Sequence, residues 1–253
     1  MMWGAHVLDN YISPKLSELT ACSPPEVAAL PAYRGAIVLN ELFAGIVYTE
    51  ALRVAASIFI LRLREATDDY RNACIELKAY ISALPKHDRL EAHTNALSNF
   101  ESCLIKLNIS AAALARVASI VGANPLYKKH DRSPLDRLCI LANRIKHFDQ
   151  DILAATNQKI PVPLAPVWLV NDGLECVVCK LSFEELAFIL TDFAEDAQNL
   201  AVKFPAEANQ RREAKRASMQ SASEQLAPGD ARSATQSSSG TSVTVNMPPM
   251  RLP

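Results

Sequence analysis

SPLDRLCILANRIKHFDQDILAAT, residues 133–156, holds the two features that organise the rest of the chain: a helix start and a two-faced residue pattern. Ser133 offers a side-chain oxygen to the free amides of a first helical turn, and Pro134 has no N–H to lose there. The spacing therefore predicts a helix from Ser133 to about Ala155. At about 100° per residue, Leu138, Leu141, Ala142, Ile145, Phe148, Asp149 and Ile152 gather on one side, which is expected to face a core. Asp136, Ile140, Asn143, His147 and Gln150 fall on the other side, flanked by Arg144 and Lys146. Asn143 and His147 are one turn apart, so their side chains can act on one ligand. A solvated helix face would show the same polar stripe.

Outward from this stretch the helical period recurs. Upstream, Val38, Leu42, Ile46, Leu52, Ala56 and Ile60 return every three or four residues between Tyr33 and Arg64, as in a central helix buried on most of its surface. Thr67, followed by Asp68 and Asp69, has the form of an N-cap, and Pro85 of a stop, so the next helix is expected at 68–84. Leu90, Leu97, Phe100, Leu104, Leu107, Leu114 and Val117 lie on one stripe from about Asp88 to Val121, with Asn108 to Ala112 as a place for a kink. Gly122 and Pro125 supply the end. Downstream, three prolines between Lys159 and Val170 and the Asn171-Asp172-Gly173 string separate VWLV from LECVVCKL, which predicts a β-hairpin near 162–181. Ser182 and Glu185 form a capping box that opens a last helix through Leu186, Ile189, Leu190, Phe193, Ala197 and Leu200, ended by Pro205. The expected fold is mainly α: a helical bundle over 33–204 with one small β-hairpin. An N-terminal extension over 1–32, with a short helix broken near Pro14, precedes it. A Ser-, Ala- and Gln-rich tail over 205–253 follows, too poor in aliphatic residues to offset its ordering entropy and therefore expected to be disordered.

Composition narrows the chemistry. Lys and Arg number 26 against 27 Asp and Glu, a formal net charge of −1, so no global basic field advertises nucleic-acid or membrane binding and any basic site must be local. With 7 glycines in 253 residues, neither GxGxxG nor GxxxxGK[ST] occurs, and no nucleotide cofactor is expected. The opening MMWGAHVLDNYISPK lacks the form of a secretory leader. Gly35 to Leu63 is interrupted by Glu41, Glu50, Arg53 and Arg62, so it reads as a buried helix rather than a span. A cytoplasmic protein without membrane contact is expected. The six scattered cysteines suit reduced thiols. Cys176 and Cys179 have CxxC spacing, but in a strand residues three apart point to opposite faces and no second pair completes a zinc site, so structural thiols and no metal are expected. His87 and His93 lie on different helix faces, and His130 sits in a polar loop. Arg211, Arg212, Lys215 and Arg216 are read as a frayed helix end, able to touch phosphate only in a salt-sensitive, unspecific way.

The string Ala142-Asn143-Arg144-Ile145-Lys146-His147-Phe148, late in a helical layout, resembles the motif helix of the HEPN superfamily. That motif is an Arg, a polar residue that is often Asn, and a His after four to six intervening residues. The resemblance implies an up-down helical bundle over about 35–200, a homodimer that brings two motif helices together, and metal-independent endoribonuclease chemistry of a defence or toxin–antitoxin type. It assigns catalysis to His147, as general acid or base, with Asn143 and Arg144, and RNA contact to Lys146 and Arg144; an imidazole moves protons near neutral pH without a metal. Where the family arginine would stand, five residues before His147, this chain has Ala142. Loss of one preorganised donor costs about 2.7 to 4 kcal/mol in the transition state. The resemblance therefore implies an RNA-associated protein whose cleavage is weak or absent, and that Ala142→Arg would raise it. The alternative is a non-catalytic helical dimerisation or protein-interaction module.

Overall fold

The longest helix begins where a threonine can cap it. A computed structural model describes residues 5–31, 33, 35, 49–83, 90–150, 152–153 and 165–202. Its elements are α1 (Ala5–Tyr11), a 3-10 turn (Leu16–Glu18), α2 (Glu50–Ser82), α3 (Leu90–Ile120) and α4 (Pro134–Lys146), then β1 (Trp168–Val170), β2 (Gly173–Glu175), β3 (Lys180–Ser182) and α5 (Phe183–Val202). The Leu52 N–H donates to Thr49 Oγ1 at 3.3 Å, which opens α2. The expected boundary at Thr67 does not exist. α2 runs through it without interruption, and the Thr67 hydroxyl donates to the Leu63 carbonyl at 2.9 Å instead of capping. Thr67 is 2% exposed within the stripe Phe59, Ile60, Leu63, Ala66, Tyr70, Ala73, Leu77 and Tyr80, so packing against a neighbour overrides the local capping signal. Asp69, read as first-turn charge, pairs with Lys106 of α3 at 2.7 Å. Of the expected helix over Tyr33 to Arg64, residues 36–48 lie outside the described residues.

α2 and α3 are antiparallel partners. Ser110 donates to the Phe59 carbonyl at 3.0 Å, Tyr70 meets Phe100 edge-on at 5.9 Å, and Tyr80 lies 5.4 Å from His93, so α3 partners descend as α2 residues ascend. α3 continues through Asn108 to Ala112, with Ser110 fully buried. The α3 end is as expected: Gly122 adopts φ 72° and the Ala123 N–H donates to the Ala118 carbonyl at 2.8 Å, the pattern that lets a left-handed glycine close a helix. By length and composition α3 could cross a membrane, but its apolar stripe from Ala96 to Val117 forms the core against α2. α5 completes this layer, with Phe193 5.8 Å from Phe59 and Phe183 5.2 Å from Phe100. Each aromatic pair adds about 0.5 to 1.5 kcal/mol beyond its buried area. The Ser182–Glu185 capping box opens α5 as expected, with reciprocal bonds of 3.0 and 3.1 Å.

The sheet is larger than the expected hairpin: three antiparallel strands in the order β1-β2-β3. Asn171 and Asp172 form the two-residue loop between β1 and β2, with Val170 opposite Gly173. Gly173 is needed for a reason other than the turn. A Cβ there would lie 2.3 Å from the Leu181 carbonyl oxygen and 2.8 Å from Ser182 Cα, so β3 approaches β2 where only a glycine fits. The Asn171 amide oxygen accepts from the Thr20 and Ala21 N–H groups at 3.0 and 3.1 Å, and its nitrogen donates to the Glu18 carbonyl at 3.1 Å. Lys15 pairs with Glu175 at 2.7 Å, and Leu16, Leu19 and Leu30 join the main core. The segment read as an N-terminal extension thus packs on the sheet and bundle. The tail over 205–253, with its cluster at Arg211 to Arg216, and His87 lie outside the described residues.

Candidate functional site

α4 starts as its sequence predicts: the Asp136 N–H donates to Ser133 Oγ at 3.3 Å, with Pro134 in the first turn. It ends earlier than expected. His147, not a residue near Ala155, is the C-cap, with φ −114° and ψ 20° and its N–H donating to the Asn143 carbonyl at 3.0 Å. The chain is helical again at 148–150 and 152–153, but it has left the original face. Phe148 is half-buried, Asp149 is exposed, and Ile152 is 38% exposed, so these three do not extend the core stripe of Leu138, Leu141 and Ala142. The break at His147 redirects the chain, and the wheel drawn through it loses its meaning there.

The break places Asn143, Lys146 and His147 at an exposed helix end, with Arg144 half-buried beside them. The Asn143 amide donates to Cys139 Sγ at 3.6 Å. Arg144 and Lys146 lie in the last turn, where cations are favoured by the partial negative charge of unpaired carbonyls. Ala142 is fully buried, so the position that would correspond to the family arginine is not part of this exposed surface.

Asp136, placed by the wheel on the solvated face, is 3% exposed. Its carboxylate accepts from the His130 N–H at 3.0 Å and the Arg132 N–H at 3.2 Å, and both those residues have positive φ, 67° and 59°. Asp131 adds bonds from the Lys128 and Ser133 N–H groups at 3.1 and 2.8 Å. Two carboxylates therefore hold the loop that exposes Lys128, Lys129, His130 and Arg132. This loop sits at the start of α4, and 13 residues at about 1.5 Å each separate it by about 20 Å from the His147 end. The two basic clusters are not one site.

The structure brings something else against α4, where Cys179 Sγ lies 3.9 Å from the Arg137 carbonyl oxygen. Cys176 and Cys179 are not three places along a strand; they flank the loop between β2 and β3, with their Sγ atoms 3.7 Å apart. Arg144 is close enough for its charge to favour the Cys176 thiolate. Arg137, two turns before Arg144 on α4, donates to the Lys180 carbonyl at 3.1 Å and forms an ion pair with Glu185, which fastens α4 to the sheet and to α5. The signal for this pair was the four-residue connection between Glu175 and Lys180, short enough to join two strands as a second hairpin.

No family model, curated protein or solved structure matches this chain. Fold and site define a mainly helical protein with a small three-stranded sheet and a cationic, histidine-bearing helix end.

Proposed function

We propose that the chain is a HEPN-like, RNA-associated helical protein that works as a cytoplasmic homodimer, binds RNA through the end of α4, and cleaves it weakly or not at all. The observation that carries this is the exposure of Asn143, Lys146 and His147 on one helix end beside Arg144. A phosphodiester there meets two cations, an amide donor and an imidazole, the groups that neutralise a phosphate and move a proton without a metal. His147 is the general acid or base, Asn143 a donor, and Arg144 with Lys146 the phosphate contacts. Weak or absent cleavage is supported by alanine at 142, a small and fully buried side chain that supplies no cation to this surface.

Fluorescence anisotropy with single-stranded RNA at low salt tests the reading. Arg144→Ala and Lys146→Ala are each expected to weaken binding several-fold and to lower the salt slope by about one. Any cleavage persists in excess EDTA and falls about 10²-fold in His147→Ala. Wild-type protein that binds no RNA at low salt overturns the proposal. The alternative, a protein-interaction module, is favoured by one observation: Val54 and Ile58 of α2, 50% and 41% exposed, line an apolar groove with Ala113 and Arg116 of α3.

A further inference from the structure

Glu175 and Lys180 face each other at the end of the β2–β3 ladder, so the next opposed residues are Cys176 and Cys179, with Val177 and Val178 as the two-residue loop. The Cys176 N–H donates to the Cys179 carbonyl at 2.9 Å. Opposed residues in such a hydrogen-bonded antiparallel pair hold their Cα atoms about 5.5 Å apart and project from one face. That separation lies within the roughly 4.4 to 6.8 Å that a disulfide spans. The two thiols are already in contact, sharing a proton across 3.7 Å.

The surroundings divide the labour between the two sulfurs. A hydrogen bond from Cys179 holds the Cys176 thiol down at about 6 despite burial, helped by the Val178 and Cys179 N–H groups and by Arg144. The same contact, with burial, pushes Cys179 up, so it keeps the proton. Elsewhere burial pushes Cys22 up to about 12, Cys74 up to about 11, and Cys103 higher still. A thiolate is the nucleophilic form of cysteine, so reactivity concentrates at the β2–β3 turn. Among the described residues no group of three or more His, Cys, Asp or Glu is placed to hold a metal ion. Cys176 is 3% exposed and Cys179 half-buried, under a loop whose Val177 and Val178 are 67% and 58% exposed. Such a turn admits a small oxidant more readily than a bulky disulfide.

We propose that Cys176 and Cys179 form a reversible dithiol–disulfide couple oxidised by hydroperoxides, with Cys176 attacking and Cys179 resolving. The Cys176 sulfur attacks the terminal peroxide oxygen; the S–O bond forms, the O–O bond breaks, and the alcohol, or water from hydrogen peroxide, leaves after taking up a proton. The sulfur is oxidised to a sulfenic acid and the peroxide reduced by the same two electrons. Cys179 then attacks that sulfur, the S–S bond forms, the S–O bond breaks, and the hydroxide leaves as water with the proton Cys179 gives up. A dithiol reductant reverses the couple by exchange and becomes a disulfide itself. This couple is independent of the RNA reading, although Arg144 borders both.

The test is intact-mass and peptide mapping of the full-length reduced protein, exposed to stoichiometric hydrogen peroxide and then alkylated. The expected result is a loss of two hydrogens, protection of two thiols, a Cys176–Cys179 linked peptide, and full reversal by dithiothreitol. Cys179→Ser is expected to leave a dimedone-reactive sulfenic acid on Cys176, and Cys176→Ser to slow peroxide consumption at least tenfold. Circular dichroism checks that both variants are folded, and the wild-type map stands without them. Six alkylatable thiols after peroxide, a linkage between other cysteines, or zinc that only a chelator removes from this pair each overturn the proposal.

Discussion

Replacing Ala142 with arginine tests the placement of α4 more sharply than any other single change. Ala142 is fully buried, as are Leu138 and Leu141 on the same face. An arginine there overfills a packed site, which costs about 1 to 3 kcal/mol. It also carries a charge into a fully buried position, a penalty of several kcal/mol even after relaxation. A combined loss of about 4 kcal/mol is a large part of the roughly 5 to 15 kcal/mol that stabilises a domain. At about 2 to 4 °C per kcal/mol for a domain of this size class, Tm should fall by about 8 to 16 °C. Asn143→Arg, one residue on and exposed, should change stability by no more than about 0.5 kcal/mol. Thermal unfolding followed by circular dichroism reads both. An Ala142→Arg protein melting within about 2 °C of wild type would refute the burial of this face. Restoring the family spacing at 142 is thus expected to damage the fold rather than to raise cleavage.

Gly173→Ala should cost about 3 kcal/mol and lower the urea midpoint without changing the slope, because its Cβ would meet the Leu181 and Ser182 backbone rather than a flexible side chain; an unchanged midpoint would contradict the sheet register. His93, 2% exposed, is held down from 6.5 to about 4 by burial, so the folded state resists its protonation. Its contribution to stability is present above pH 6.5 and is lost as pH falls toward 4, about 2 kcal/mol between pH 7 and 5. Urea unfolding of His93→Phe should therefore lose about that much less on acidification than wild type, and equal losses would refute it. Glu101 acts in the opposite sense: burial raises it from 4.5 to about 7, so its contribution is present below 4.5 and lost as pH rises, and Glu101→Gln should steepen the acid loss of stability.

Three of the caps and stops were legible from local residues, whereas the Thr49 cap of α2 and the end of α4 at His147 were not. Ser133 with Pro134, the Ser182–Glu185 box and the left-handed Gly122 need only residues within a turn of themselves, and each stands where its residues indicate. Thr67 shows the limit of such signals. A threonine before two aspartates caps a helix or sits inside one, and the choice falls to α3, which buries Thr67 and takes Asp69 as the partner of Lys106. The candidate site divides the same way. Asn143, Arg144, Lys146 and His147 were singled out by the motif resemblance rather than by spacing, which a solvated face explains equally well, and the helix break at His147 and the burial of Asp136 were not legible.

The sequence by itself determined the helical class, the apolar stripes of α3 and α5, the first half of the α4 stripe, and the turn at Asn171, because periodicity and turn chemistry act over a few residues. Tertiary structure alone decided that β3 exists, that Gly173 admits it, that Leu16 and Leu19 join the core, and that Cys176 faces Cys179 beside Arg144. Each of these depends on which segments, distant in the chain or folded back across a turn, come into van der Waals contact. Such contacts are selected by the free energy of the whole packed unit, in which a local preference worth about 1 kcal/mol yields to the burial of a face.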